Sequence, residues 1–242
     1  MKSLIVLSLA FAPGVFWLWY FFRLDKWEPE PLHLIRFSFF LGMAAVVPAA
    51  LIEIPFSKVS SFATVVLVAP AVEELSKYVA VRFGIYRNAE FDEPMDGVVY
   101  SVATALGFAS LENVFYLLAE YGNGTGPFAM VTATRALLSV PGHAVWSGMW
   151  GYALGCAKFS EPRFGRSLVL RGLGLAIGLH ALFNLLCLSG PIWPLGMVIL
   201  VPIMWRMIHR RIEAALRASP HTSLIASGSP SVRQAMRIPR NQ

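Results

Sequence analysis

Seven apolar runs, each about 20 residues long, follow one another along this chain, and few folds can accommodate them. They lie near 3–22, 33–54, 62–83, 96–119, 141–158, 170–189 and 192–209. A helix of that length crosses a hydrocarbon core ~30 Å thick. Lipid accepts only structures that satisfy their own backbone groups, which means helices or closed barrels. Barrel strands alternate in polarity over roughly ten residues, whereas these runs are continuous. The expectation is an all-α, polytopic transmembrane helix bundle of about seven spans.

Composition agrees, since charged residues make up 14% of the chain and hydrophobic ones 56%. A soluble domain carries roughly 25% charged residues, so a soluble globule and a disordered chain are both excluded. The net charge of +6 does not indicate nucleic-acid binding, because it belongs to one end. Residues 206–242 hold seven arginines (206, 210, 211, 217, 233, 237 and 240) against the single acid Glu213. The first run resembles a signal peptide at Ala10-Phe11-Ala12, but Pro13 follows and the run continues through Phe22, so it reads as a retained span.

Lys and Arg in the short loops set the orientation. Arg23, Lys26 and Arg36 flank the first loop, Arg82 and Arg87 the third, and Lys158, Arg163, Arg166 and Arg171 the fifth. The intervening loops hold only Lys58 and Arg135. This alternation predicts an outside N-terminus and a cytoplasmic C-terminus. Residues 128–139 are apolar but contain Arg135 and are set off by Pro141-Gly142, which predicts an interfacial or re-entrant helix on the outer side. Two regions follow: a membrane domain at 1–211 and a flexible basic cytoplasmic tail at 212–242. Cys156 and Cys187 fall near opposite membrane faces, which argues against a disulfide between them.

An ionisable group at mid-membrane costs at least ~2.5–3.5 kcal/mol, so its presence points to function. Glu73, Glu74 and Lys77 lie in the third run, Glu112 and Asn113 in the fourth, His143 at the start of the fifth, and His180 and Asn184 in the sixth. Four helices thereby aim polar groups at one layer, displaced toward the outer side. Glu73 and Lys77 are i,i+4 neighbours, as are His180 and Asn184. Glu74 projects about 100° away from Glu73, so the two carboxylates meet different surroundings. Phe108, one turn before Glu112, offers a dry wall. Pro70 removes a backbone hydrogen bond just ahead of the Glu pair and loosens the helix there. Glu53 reads as interfacial, Asn113 and Ser147 as packing contacts, and Gly148, Gly151, Gly155, Gly172, Gly174 and Gly178 as sites of close helix approach.

Such a set suits water activation. A buried carboxylate serves as general base. Imidazoles with carboxylates hold a divalent metal that acidifies water, or His180 and Asn184 stabilise an oxyanion. The same groups also make a proton relay, so a proton-coupled transporter or channel is the competing reading. A non-catalytic membrane protein that holds partner helices is a third. Transporters usually carry inverted repeats, and this chain shows no internal symmetry.

At these residues the chain resembles the PrsW family of intramembrane proteases, within the superfamily that includes CAAX prenyl endopeptidases and bacteriocin-immunity-type membrane proteins. Glu73-Glu74-Leu75-Ser76-Lys77 matches the family's E-E-x-x-K, and Phe108 to Glu112 its F-x-x-x-E. His143 in Pro-Gly-His-Ala is similar to a further family histidine, and His180 to Asn184 matches H-x-x-x-[ND]. The likeness covers about 65–190. It implies an endopeptidase acting near the outer membrane–water boundary of the bacterial plasma membrane, on a single-pass membrane protein such as an anti-sigma factor in envelope-stress signalling. It implies catalytic roles for Glu73, Glu74, Glu112, His143, His180 and Asn184, with Glu73 favoured as base, and supporting roles for Lys77 and Phe108. Any divalent metal, such as zinc, would sit on His143, His180 and Glu112. CAAX relatives carry His in the second motif and Arg at the end of the first, so Glu112 and Lys77 speak against prenylated substrates.

Overall fold

The structure is a computed structural model that describes residues 2–221. Every regular element among the described residues is helical. The long helices are α1 (Lys2–Phe22), α2 (Leu32–Ser57), α4 (Ala69–Gly84), α5 (Pro94–Glu120), α7 (Val140–Lys158), α8 (Pro162–Cys187) and α9 (Trp193–Ala218), with shorter α3 (Ser61–Ala63) and α6 (Thr125–Thr134). Among the described residues, five segments are long and apolar enough to cross a membrane: Ser3–Phe22, Leu32–Ser57, Pro94–Glu120, Pro162–Cys187 and Gly190–Ala218. The other two expected runs do not reach that standard. The first, 62–83, is divided among α3, a π turn and α4 and carries Glu73, Glu74 and Lys77; the second, 141–158, lies within α7 and carries His143.

Those breaks share one design. A π-helical segment, Thr64–Val68, joins α3 to α4, and another, Arg135–Ser139, joins α6 to α7. Each ends two residues before a proline, Pro70 or Pro141, which lacks the N–H that would close the ordinary α turn. The wider turn is seen where Ala69 N donates to Thr64 O and Val140 N to Arg135 O. The expected separation at Pro141-Gly142 is therefore absent. Residues 125–158 run as one continuous helix because the π turn absorbs the proline.

Helix α5 is the axis of the bundle, with all of its first 17 residues, Pro94 to Ser110, buried. Bilayer lipid is as apolar as the side chains, so close van der Waals approach holds such helices together. Gly42 and Gly107 allow it between α2 and α5. A Cβ on Gly107 would lie 1.9 Å from Phe39 O, and one on Gly42 1.8 Å from Thr104 O. Gly151 and Gly155 do the same between α7 and α5, and Gly172 between α8 and α7. Gly174 and Gly178 differ from expectation: a Cβ there meets nothing within 4 Å. The outer surface is apolar, with Leu4, Phe40, Leu51, Phe83, Leu195 and Val198 exposed as a lipid-facing shell.

Helix α9 passes residue 211 without a break and ends at Ala218, with Ile212 and Ala215 buried. Most of the expected flexible tail, residues 222–242, lies outside the described residues. Both cysteines are free. At the end of the bundle formed by the 23–31 and 85–93 loops, Asp25, Glu30, Glu93 and Asp96 are all buried. Asp96 Oδ2 accepts from Asp92 N at 2.6 Å and Glu93 N at 2.7 Å, capping α5. The Tyr100 hydroxyl donates to Glu30. Burial, helped by neighbouring carboxylates, pushes Asp25 up to about 8 and Glu30 to about 10.

Candidate active site

At the opposite half of the bundle, the carboxylates and imidazoles predicted from the sequence meet. Glu73 and Glu74 come from α4, Glu112 from α5, His143 from the first turn of α7 and His180 from α8. Pro70 and Pro141 place the two π turns immediately before Glu73 and His143. Local widening of this kind rotates the following residues relative to an unbroken helix, and it recurs at functional sites.

Lys77 stands at the centre, fully buried. Its Nζ donates to Glu74 Oε1 at 2.9 Å and to Glu73 Oε2 at 3.4 Å, and it lies 2.9 Å from His143 Nδ1. It also sits 4.3 Å above the Phe108 ring. Phe108 is thus the wall behind Lys77 rather than beside Glu112. A protonated Lys77 makes His143 Nδ1 an acceptor, so the imidazole carries its proton on Nε2. That nitrogen is 3.2 Å from Glu112 Oε2.

The two adjacent glutamates have different environments, as their 100° offset implies. Glu74 is enclosed: Ser147 Oγ and Trp150 Nε1 donate to its Oε2 at 2.7 and 2.9 Å. Ser147, read from sequence as a packing contact, is therefore a partner of the motif. Glu73 instead faces a cavity of about 450 Å³ that Glu53, Glu112, Arg135, His143, His180 and Asn184 also line. Asn184 does not bond to His180; its amide donates to Val65 O at 2.9 Å and ties α8 to the first π turn. The His180 ring stacks on Trp146 at 3.9 Å and lies 5.2 Å from the His143 ring.

Trp146 and Trp150 escaped the sequence reading, and so did the roles of Arg135 and Glu53. Arg135 had counted only as an obstacle to a membrane crossing. Its guanidinium holds Glu112 Oε2 at 2.6 Å and Asn113 Oδ1 at 2.5 Å. Its signal was a lone basic residue in an outer loop otherwise poor in charge. Glu53, read as interfacial, lines the cavity with an Oε1 that has no hydrogen-bond partner among the described residues.

Ligand atoms of Glu73, His143 and His180 all lie within 4.8 Å of one another. One carboxylate and two imidazoles form a donor set suited to a catalytic divalent ion. Each imidazole has a carboxylate against one nitrogen, Glu112 for His143 and Glu74 at 3.4 Å from His180 Nδ1, the arrangement that orients metal-bound histidines. The residues present fit such an ion, which would compete with the Lys77 ammonium for His143. Glu73 takes the place that the sequence reading gave to Glu112, whose Oε2 is engaged by Arg135 and His143.

A buried acid–base centre opening to a cavity inside a helical membrane protein supplies the groups that a membrane-embedded hydrolase needs. The model of the PrsW family of intramembrane metalloproteases matches residues 30–207. The chain belongs to that family. A protein named Protease PrsW from Geobacillus kaustophilus is 35% identical over 214 residues, covering 87% of this chain and 92% of its own length. Its namesake from Bacillus subtilis is 33% identical, with 87% and 95% covered. That from Clostridioides difficile is 29% identical, with 85% and 88% covered. No solved structure matches the chain. The chain is thus an intramembrane protease, and family membership does not favour the transporter reading.

Proposed function

We propose that this protein hydrolyses a peptide bond of a single-pass membrane protein at the membrane boundary nearer Glu73 and His143. The observation that carries this reading is the meeting of Glu73, His143 and His180 within 4.8 Å, at a cavity of about 450 Å³. In this proposal all seven apolar runs cross the plasma membrane, with the N-terminus outside and the site toward the outer face. An anti-sigma factor of envelope-stress signalling is the proposed substrate.

Glu73, His143 and His180 would hold a divalent ion, with zinc proposed from the donor types. When bound, the ion lowers the pKa of a water molecule and polarises the scissile carbonyl. Glu112, anchored by Arg135, accepts from His143 Nε2–H and fixes that ring. Glu74 and the Trp146 face fix His180. Lys77 balances the charge of the glutamate pair. Because Glu73 belongs to the donor set, the proton-accepting role passes to Glu53, whose unpartnered oxygen shares the cavity. Asn184, tied to Val65, keeps α8 in register with the widened turn beside the cavity.

The test uses purified protein in proteoliposomes with a single-pass anti-sigma factor. Wild type cleaves it. Glu73→Gln, His180→Ala and a strong chelator each lower the rate by at least about 100-fold, while the variants still insert into the membrane. Cleavage unchanged in Glu73→Gln, or pH-driven flux without cleavage, contradicts the proposal.

A further inference from the structure

A second cavity, of about 460 Å³, lies between α7, α8 and α9, in the half of the bundle away from the catalytic groups. Its lining is mixed in a particular way. Met149, Leu168 and Leu175 give apolar walls, while Arg171 from α8, Arg211 from α9 and the Tyr152 hydroxyl from α7 give a polar rim. No Asp or Glu lines it.

Neither arginine has a carboxylate partner among the described residues. Arg211 makes one long contact, its Nη1 donating to Met207 O of its own helix at 3.4 Å. Residues 222–242 contain no Asp or Glu side chain that would supply one. The neighbouring acid, Glu213, lies 4.0 Å from Arg217 instead. Two guanidinium groups from different helices, with donors free among the described residues, line one largely apolar cavity and suit an anion. Guanidinium groups bind phosphate in bidentate fashion, and more strongly than a neutral donor does.

Depth fits the same ligand. A 26-residue helix is ~39 Å long at ~1.5 Å per residue, longer than the ~30 Å hydrocarbon core, so α8 extends beyond it. Arg171 stands at the start of the apolar run 170–189, and Arg211 just past the end of the run 192–209. Both arginines are therefore at headgroup level, while Leu175, one turn farther along α8, and Met149 of α7 lie deeper. We infer that this cavity binds one anionic phospholipid, its phosphate held by Arg171 and Arg211 and an acyl chain lying along Met149 and Leu175. A zwitterionic lipid fits worse, because no carboxylate is present to receive its cationic headgroup. The site is independent of the proteolytic reading and places a lipid against α7 and α8, the helices that carry His143 and His180.

Native mass spectrometry of the detergent-purified chain tests this, with phosphatidylglycerol and phosphatidylcholine of matched acyl chains. Wild type retains one phosphatidylglycerol in preference to phosphatidylcholine. Arg171→Gln with Arg211→Gln lowers that preference about tenfold. Arg163→Gln with Arg166→Gln, which removes equal charge from outside the cavity, leaves it unchanged. Leu175→Trp, which fills the cavity at constant charge, also lowers phosphatidylglycerol retention. An unchanged preference in the 171/211 pair, an equal loss in the 163/166 pair, or full retention in Leu175→Trp overturns the inference.

Discussion

Lys77 is the residue on which the charge balance of the site turns. It is fully buried, and so is Glu74, its nearest partner at 2.9 Å. Removing one member of a buried pair leaves the other uncompensated, at a cost of ~3–5 kcal/mol. Lys77→Met is therefore expected to lower the unfolding temperature in detergent sharply, while Lys77→Arg, which keeps the charge, falls between it and wild type. Equal stability of Lys77→Met and wild type would mean that Glu74 is neutral and the motif lysine only fills space. The importance of Lys77 was legible in sequence, because its i,i+4 spacing from Glu73 needs nothing beyond helix geometry. Arg135 was not, because its contact with Glu112 joins positions 23 residues apart. Local spacing carries no information about which distant helices become neighbours.

At the level of elements, the two helices that contain π turns supply Glu73, Glu74, Lys77 and His143, and the uninterrupted α5 and α8 supply Glu112 and His180. The sequence signals for both breaks were present in Pro70 and Pro141, but they were read differently: the first as a loosened helix, the second as a break between helices. What propensity alone could not convey is that a helix flanked by packed neighbours keeps its direction and takes up a proline as a π turn. Pro70→Ala and Pro141→Ala restore the missing N–H donors and allow the turns to tighten. Each substitution is expected to raise thermal stability or leave it level while reducing cleavage by about tenfold or more, through displacement of Glu73 or His143. Undiminished cleavage in both variants would show that the widened turns do not position the site.

The two halves of the bundle bury different sets of charged groups. One half gathers Glu73, Glu112, His143 and His180 around one cavity. The other encloses Asp25, Glu30 and Glu93, whose burial raises them from ordinary values of 3.8 and 4.5 to about 8, about 10 and about 7. Carboxyls raised by folding favour the folded state below their ordinary values, and that contribution is lost as pH rises through the raised ones. Unfolding temperature is thus expected to fall between about pH 5 and pH 8, and Asp25→Asn should flatten the slope. A profile that rises over this range, or one that Asp25→Asn leaves as steep, contradicts the assignment. The bundle class was legible because the apolar runs are long, and the residues of the site because charge in lipid is conspicuous. The two π turns and the extent of α9 were less so, since hydropathy registers neither a π turn nor a helix that continues past its apolar run.

The central claim is that Glu73 and His180, from separate helices, act on one reacting centre. A double-mutant cycle on proteoliposome cleavage rates measures this directly. With one shared centre, Glu73→Gln combined with His180→Ala is no slower than the more damaging single substitution, because either alone disables the unit. Losses that multiply, each residue contributing independently of the other, would contradict it.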